Sequence, residues 1–180
     1  MRLSSPDGGL LPHWAKHKRI VFTMINARAE TLTKNSTYRS LIGERRCLVV
    51  ADGFYEWRIG ADGKKEPVYF QLVGGEPFGF AGLWTSRRDD QIGETVDSCT
   101  IITTRPNELV APVHEQMPVI LPRDLEDAWL DPELPRDHAV ELLQPLDPAA
   151  MRMRLASRLV NSLKNEGVEL LTPDLLQHAA

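Results

Sequence analysis

Apolar residues along this chain fall into short runs broken by turn residues, not into long helical stripes. Ile20-Val21-Phe22-Thr23-Met24-Ile25 is β-branched and apolar, and Cys47-Leu48-Val49-Val50-Ala51 is a short buried-strand run closed by Asp52-Gly53. Phe54-Tyr55-Glu56-Trp57 resumes in strand-forming residues. Ala61-Asp62-Gly63-Lys64 then predicts a hairpin turn into a strand over Pro67–Val73, and Gly74-Gly75-Glu76 a second turn into Phe78–Trp84. Ser98–Thr104 and the shorter Pro118–Leu121 complete the strands. Strands at this spacing, joined by Asp-Gly and Gly-Gly turns, predict an antiparallel, barrel-like sheet.

Helical patterning is scarcer. Thr37 to Arg46 places Tyr38, Leu41 and Ile42 on one face, with Ser36 or Thr37 as its cap. Pro122-Arg123-Asp124 opens a short helix that ends near Asp131-Pro132, and Pro135 to Leu143 forms another, stopped by Pro145. A tail from Ser157 to Leu171 follows. The expected class is α+β, mostly β, in one domain over residues 1–180. Gly8-Gly9-Leu10-Leu11-Pro12-His13-Trp14 reads like the middle of a domain yet arrives almost at once, a pattern expected of a shortened N-terminus.

Composition narrows the class without changing it. The chain is 42% apolar, 26% charged and 7% aromatic, which excludes disordered and fibrous classes. No run of apolar residues is long enough for a transmembrane helix, and the first residues hold no apolar stretch of secretory type. Two cysteines, Cys47 and Cys99, are too few for a disulfide framework and sit in apolar strands, so a reduced, cytoplasmic setting is expected. The formal charge of −4 hides an asymmetry. Residues 1–70 hold 12 Lys/Arg against 7 Asp/Glu, and residues 71–180 hold 9 against 18. A sequence pI near 5.7 argues against a strongly basic nucleic-acid binder, but phosphate contact needs only a local basic groove.

Three segments carry candidate chemistry. Asn26 and Arg28, two apart in Asn26-Ala27-Arg28-Ala29-Glu30-Thr31, share one face of an extended segment, and an amide beside a guanidinium suits an anionic ligand. A strand end tied to a neighbour by a salt bridge fits the same pattern. Glu56 stands between aromatics in Asp52-Gly53-Phe54-Tyr55-Glu56-Trp57, and an apolar wall raises a carboxyl into the range useful for acid–base work. An exposed Glu on a half-buried strand is the plainer alternative. His114 lies in a loop before a short strand, where it is either an acid–base group or a structural residue. His13, His17, His138 and His178 show no metal spacing, so no metal and no cofactor is expected.

Taken in order, the segments Asn26–Thr31, Arg46–Trp57, Phe80–Trp84, Thr100–Leu121 and Val160–Leu170 resemble the SOS-response-associated peptidase family, also called abasic-site processing proteins. The resemblance runs from about Gly9 to Leu171. It implies a β-rich pseudo-barrel with flanking helices and a monomeric DNA-damage-response protein that acts on abasic sites in single-stranded DNA. Family members expose a cysteine at position 2 by removing their own initiator Met, and its amine and thiol condense with the ring-opened abasic sugar to a thiazolidine. The resemblance further implies that Asn26 and Arg28 hold the sugar and phosphate and that Glu56 and His114 are the acid–base pair. Aromatics such as Trp14, Phe54 and Trp57 would wedge or stack bases.

The chain departs from the family pattern at two places. Residue 2 is Arg, and the family's Met-Cys-Gly-Arg opening and its Asn-Val-Ala-Pro segment have no counterpart. Neither Cys47 nor Cys99 offers an amine and a thiol on adjacent carbons. The family's His-Asp-Arg-Met-Pro reads His114-Glu115-Gln116-Met117-Pro118, which removes one phosphate-binding Arg. The sequence therefore leaves open a wrong or degraded gene start that misses part of a longer protein, a single-stranded-DNA-binding remnant that no longer crosslinks, or a peptidase acting on other proteins.

Overall fold

A computed structural model describes residues 10, 24–89 and 93–172 of the 180-residue chain. Its strands are β1 (Asn26–Arg28), β2 (Arg46–Ala51), β3 (Phe54–Ile59), β4 (Lys65–Leu72), β5 (Phe78–Asp89), β6 (Glu94–Thr104), β7 (Met117–Pro118), β8 (Ile120–Leu121) and β9 (Met151–Leu155). Its helices are α1 (Ser36–Glu44), α2 (Arg123–Leu130) and α3 (Arg136–Glu141). The class is α+β, as the patterning predicts. The described residues cluster into two compact units, Met1–Val50 with Phe78–Arg105 and Pro118–Leu146, and Ala51–Pro77 with Pro106–Met117 and Asp147–Ala180.

The first unit is built on the strand order β1-β6-β5-β2, with β8 added to β5. The sheet expected to be antiparallel is mixed: β5 and β6 form a long antiparallel hairpin, but β1 runs parallel to β6, with Ala27 opposite Ile102. Both of those residues are buried, in a core with Ala81, Leu83, Val119 and Leu121 from the sheet region and Tyr38, Ile42, Trp129 and Ala139 from the helices. The apolar run expected as a strand at Ile20–Ile25 falls mostly outside the described residues; Met24 is buried, Ile25 is exposed, and the described strand begins at Asn26. Helix α1 is capped by Asn35, whose side chain accepts from the Thr37 N–H, one residue before the expected cap.

Arg46 joins the two longer helices. Its guanidinium is buried and donates to the carbonyls of Ile42 (2.6 Å) and Gly43 (3.0 Å) at the C-terminal end of α1. It also donates to Trp129 O (2.6 Å) and Asp131 O at the end of α2. One cation thus satisfies carbonyls that two helix ends leave without intrahelical partners and sits at the negative pole of both dipoles.

The second unit holds a three-stranded antiparallel sheet in the order β3-β4-β9. Gly63, at φ 74, makes the hairpin turn between β3 and β4. At the start of β3, Gly53 is required by a neighbour: a Cβ there would come within 2.2 Å of the Tyr69 ring. Strand β9 was not expected, although Met151-Arg152-Met153-Arg154-Leu155 alternates with period two; as the outer strand, it is mostly exposed. The tail from Ser157 to Leu171 forms two 3₁₀ turns, Arg158–Asn161 and Val168–Leu171. Ser157 and Ser162 bond to nearby backbone N–H groups, the local competition that disfavours a continuous helix. Arg158 pins this tail to the β3–β4 hairpin through Asp62 (3.0 Å) and Glu66 (3.7 Å).

Candidate functional site

Strand β3 presents Glu56 with its period-two neighbour Phe54 on one face, and Tyr55 and Trp57 on the other. Phe54 stacks on Phe70 at 5.0 Å, and the cross-strand partner of Glu56 is the buried Val68. The carboxyl therefore sits among apolar groups, and burial pushes it above its ordinary range while the neighbouring His114 pulls it partly back. His114 Nδ1 lies 3.9 Å from Glu56 Oε1. That is beyond a direct hydrogen bond but within the span that a small side-chain movement or a bridging water closes.

The His114 ring has a backbone partner in either protonation state of Nδ1. The Gln116 N–H points to it at 3.1 Å, and Gln116 O lies 2.9 Å away. An unprotonated Nδ1 accepts from the first, and a protonated one donates to the second. Nδ1 itself thus keeps a partner with or without its proton, while the other Gln116 group faces it without bonding to it.

In the other unit, β1 places Asn26 and Arg28 on its exposed side and turns Ala27 inward, as the alternation predicts. Glu30 fastens the end of this segment to β6: its Oε1 accepts from Thr104 Oγ1 (3.1 Å) and from the Arg105 N–H (3.3 Å). Thr31 Oγ1 donates to Arg28 O at 3.2 Å, closing the turn behind the guanidinium-bearing residue.

The aromatic candidates fare differently. Trp57 is 37% exposed, and its indole N–H donates to Asn161 Oδ1 at 2.8 Å, so its ring is both held and accessible. Phe54 has one face taken by Phe70. Trp14 lies outside the described residues. Asn161 and Glu30 were not singled out from the sequence; both are polar residues whose contacts, with Trp57 and with β6, are non-local and leave no periodic signal.

The structure thus brings Glu56 and His114 together in one unit and sets Asn26 and Arg28 side by side on one strand of the other. Cys47 and Cys99 are half-buried in the first unit, and burial raises both thiols, Cys47 to about 12. Among the described residues, no cluster of His, Cys, Asp and Glu could hold a metal ion, and no helix is long and apolar enough to cross a membrane.

A family model described as SOS response associated peptidase (SRAP) matches residues 2–163, a span that includes all four polar candidates. The chain belongs to the SRAP family. The abasic site processing protein YoqW of Bacillus subtilis (strain 168) is 42% identical over 171 residues, covering 94% of this chain and 76% of that protein. The abasic site processing protein HMCES of Gallus gallus is 32% identical over 188 residues, covering 92% of this chain and 55% of its own. Among solved structures, a protein from Bacteroides thetaiotaomicron superposes with a TM-score of 0.83 at 28% identity, over 93% of this chain and 75% of that one. The SRAP match thus agrees with the resemblance that the ordered motifs carry.

Proposed function

We propose that the chain binds abasic sites in single-stranded DNA and that Glu56 and His114 move the protons that open the abasic sugar. The observation that carries this reading is the 3.9 Å approach of a burial-raised carboxyl to an imidazole. Opening the cyclic hemiacetal requires removal of the proton on the anomeric hydroxyl and delivery of a proton to the ring oxygen, leaving an aldehyde. A carboxyl–imidazole pair supplies one group for each transfer. Asn26 and Arg28 hold the sugar and its phosphate, and the exposed Trp57 supports a neighbouring base.

The aldehyde then meets an amine. Condensation expels water and forms an imine, and a thiol one carbon from that amine would close the imine to a thiazolidine. An amine without such a thiol stops at a reversible imine, the intermediate of lyase-like strand scission. Cys47 and Cys99 lack the adjacent amine, and their raised thiols are poor nucleophiles at neutral pH. A peptidase acting on other proteins is the weaker reading, since no Ser or Thr stands beside His114 in the sequence as a nucleophile.

Denaturing electrophoresis after mixing the chain with abasic single-stranded DNA tests both halves. Borohydride is expected to trap an adduct that is absent without reductant, and Glu56→Gln or His114→Gln to slow its appearance. A heat-stable adduct formed without reductant would place the nucleophile elsewhere, with Cys47, Cys99 and Lys16 the next to substitute. No salt-dependent binding to single-stranded DNA at low ionic strength would overturn the DNA reading.

A further inference from the structure

The segment that carries His114 is closed on itself at Asn107. The Asn107 backbone N–H donates to Met117 Sδ at 3.2 Å, joining the two ends of the loop. Its side-chain Nδ2 donates to Met151 Sδ at 3.4 Å, tying the same point to the start of β9. Its Oδ1 accepts from the backbone N–H groups of Leu109 (3.1 Å) and Val110 (3.0 Å), and its main-chain carbonyl accepts from Ala111 (2.9 Å). The next link reaches the histidine: Val110 O accepts from the N–H groups of Val113 (2.8 Å) and His114 (3.0 Å). Asn107 is 8% exposed, and Val110 and Met117 are fully buried.

Each contact has a physical reason to involve Asn. An amide oxygen that accepts from N–H groups two and three residues on forms a turn without help from neighbouring strands. The two thioethers offer weak acceptors and no charge, so the buried group facing them must be neutral and must donate. A carboxylate would be left against sulfur without a donor, and an aliphatic side chain would take this acceptor from the Leu109 N–H and leave the Val110 N–H only the Asn107 main-chain carbonyl at 3.2 Å.

We propose that Asn107 is the positioning residue of His114. Its Oδ1 holds the turn that presents Val110 O, Val110 O holds the His114 backbone, and the imidazole is thereby kept within reach of Glu56. The functional meaning of this assignment rests on the acid–base reading of Glu56 and His114; its geometric content does not. Asn107 acts through the loop.

The test is a ¹³C-carboxyl NMR titration of Glu56 in the full chain without DNA. His114→Gln removes the neighbour that lowers the Glu56 midpoint and is expected to move that midpoint up. Asn107→Ala is expected to move it up by the same amount, with no further change in the double variant. Asn107→Ser, whose hydroxyl oxygen can accept in the same kind of turn, should restore at least half of the difference. A merely structural role would lower stability and leave the Glu56 midpoint where it is. An Asn107→Ala chain that folds and titrates like wild type, while His114→Gln is shifted, would overturn the proposal. If Asn107→Ala does not fold, hydrogen exchange in the wild-type chain decides: the Leu109, Val110 and His114 amides should share one protection factor, and an unprotected His114 amide would sink the idea. If His114→Gln leaves Glu56 unmoved, the acid–base pairing is what fails, and loss of His114 amide protection in Asn107→Ala still decides the role of Asn107.

Discussion

His114 Nδ1 stands 3.9 Å from Glu56 Oε1, and the carboxyl it faces is one that burial already pushes upward. Glu56 therefore holds its proton more tightly in the folded chain than in the unfolded one. The stability this contributes is fully present below the unfolded midpoint and is lost as pH rises through the folded one. At neutral pH an ionised Glu56 opposes folding. Glu56→Gln is expected to raise the melting temperature at pH 7 and to flatten its dependence on pH above the ordinary carboxyl value of 4.5. The same change should slow the proton-transfer step by about 10²–10⁴-fold. Thermal melts at pH 5 and pH 7 check the first half; a variant less stable than wild type at pH 7 would contradict it.

Gly53 leads into the strand that carries Glu56, and its missing side chain is where the Tyr69 ring lies. Gly53→Ala places a Cβ within 2.2 Å of that ring, which must swing away and give up its 3.4 Å contact with Asp52. Overpacking of this kind costs about 1–3 kcal/mol. Urea denaturation of Gly53→Ala, Tyr69→Ala and the double variant measures it as a cycle. The double variant should recover part of the loss; strict additivity would show that the two residues do not compete for the same space.

The fold was largely legible where turn chemistry and apolar runs agree. Asp52-Gly53, Asp62-Gly63 and Gly74-Gly75 separate β2, β3, β4 and β5, and the structure follows them. β9 escaped because its alternation mixes Met with Arg. The shared face of Asn26 and Arg28 followed from the two-residue period of an extended chain. Periodicity does not bring Glu56 and His114 together; only the family resemblance pairs them, because their meeting depends on a loop closed by Asn107 and two methionine sulfurs. Contacts of that kind are set by tertiary packing, to which local propensity is blind.

Arg46 shows the same limit in the first unit, since its sequence neighbours say nothing of the two helix ends it joins. Arg46→Ala strips charge-assisted donors from several largely buried carbonyls. At roughly 1.5–3 kcal/mol for a hydrogen bond to a charged group, even partial compensation by water leaves a loss of about 3 kcal/mol. Arg46→Lys should recover only part of it, because one ammonium cannot span the geometry of a planar fork. Chemical denaturation reads both, and a loss below about 1 kcal/mol for Arg46→Ala would mean that water or a rearranged helix end replaces the guanidinium.

Arg28 and Gln116 should shift DNA affinity in opposite directions. Arg28 lies on the exposed side of β1, beside Asn26 at the two-residue spacing. Removing a phosphate contact weakens binding on every sequence and lowers the salt slope by about 0.7 per contact on a single strand. Arg28→Ala is therefore expected to bind single-stranded DNA less tightly at low salt and to lose less affinity as salt rises. Gln116 stands where the resembling family carries Arg, and its backbone N–H and carbonyl both lie at His114 Nδ1. Gln116→Arg changes only the side chain, so the histidine keeps its partners while a cation is added two residues away. It should tighten binding at low salt and steepen the salt slope by the same increment. Fluorescence anisotropy across a salt series measures both variants. If Gln116→Arg raises affinity without changing the slope, the new guanidinium is not meeting a phosphate, and the DNA path does not pass over this loop.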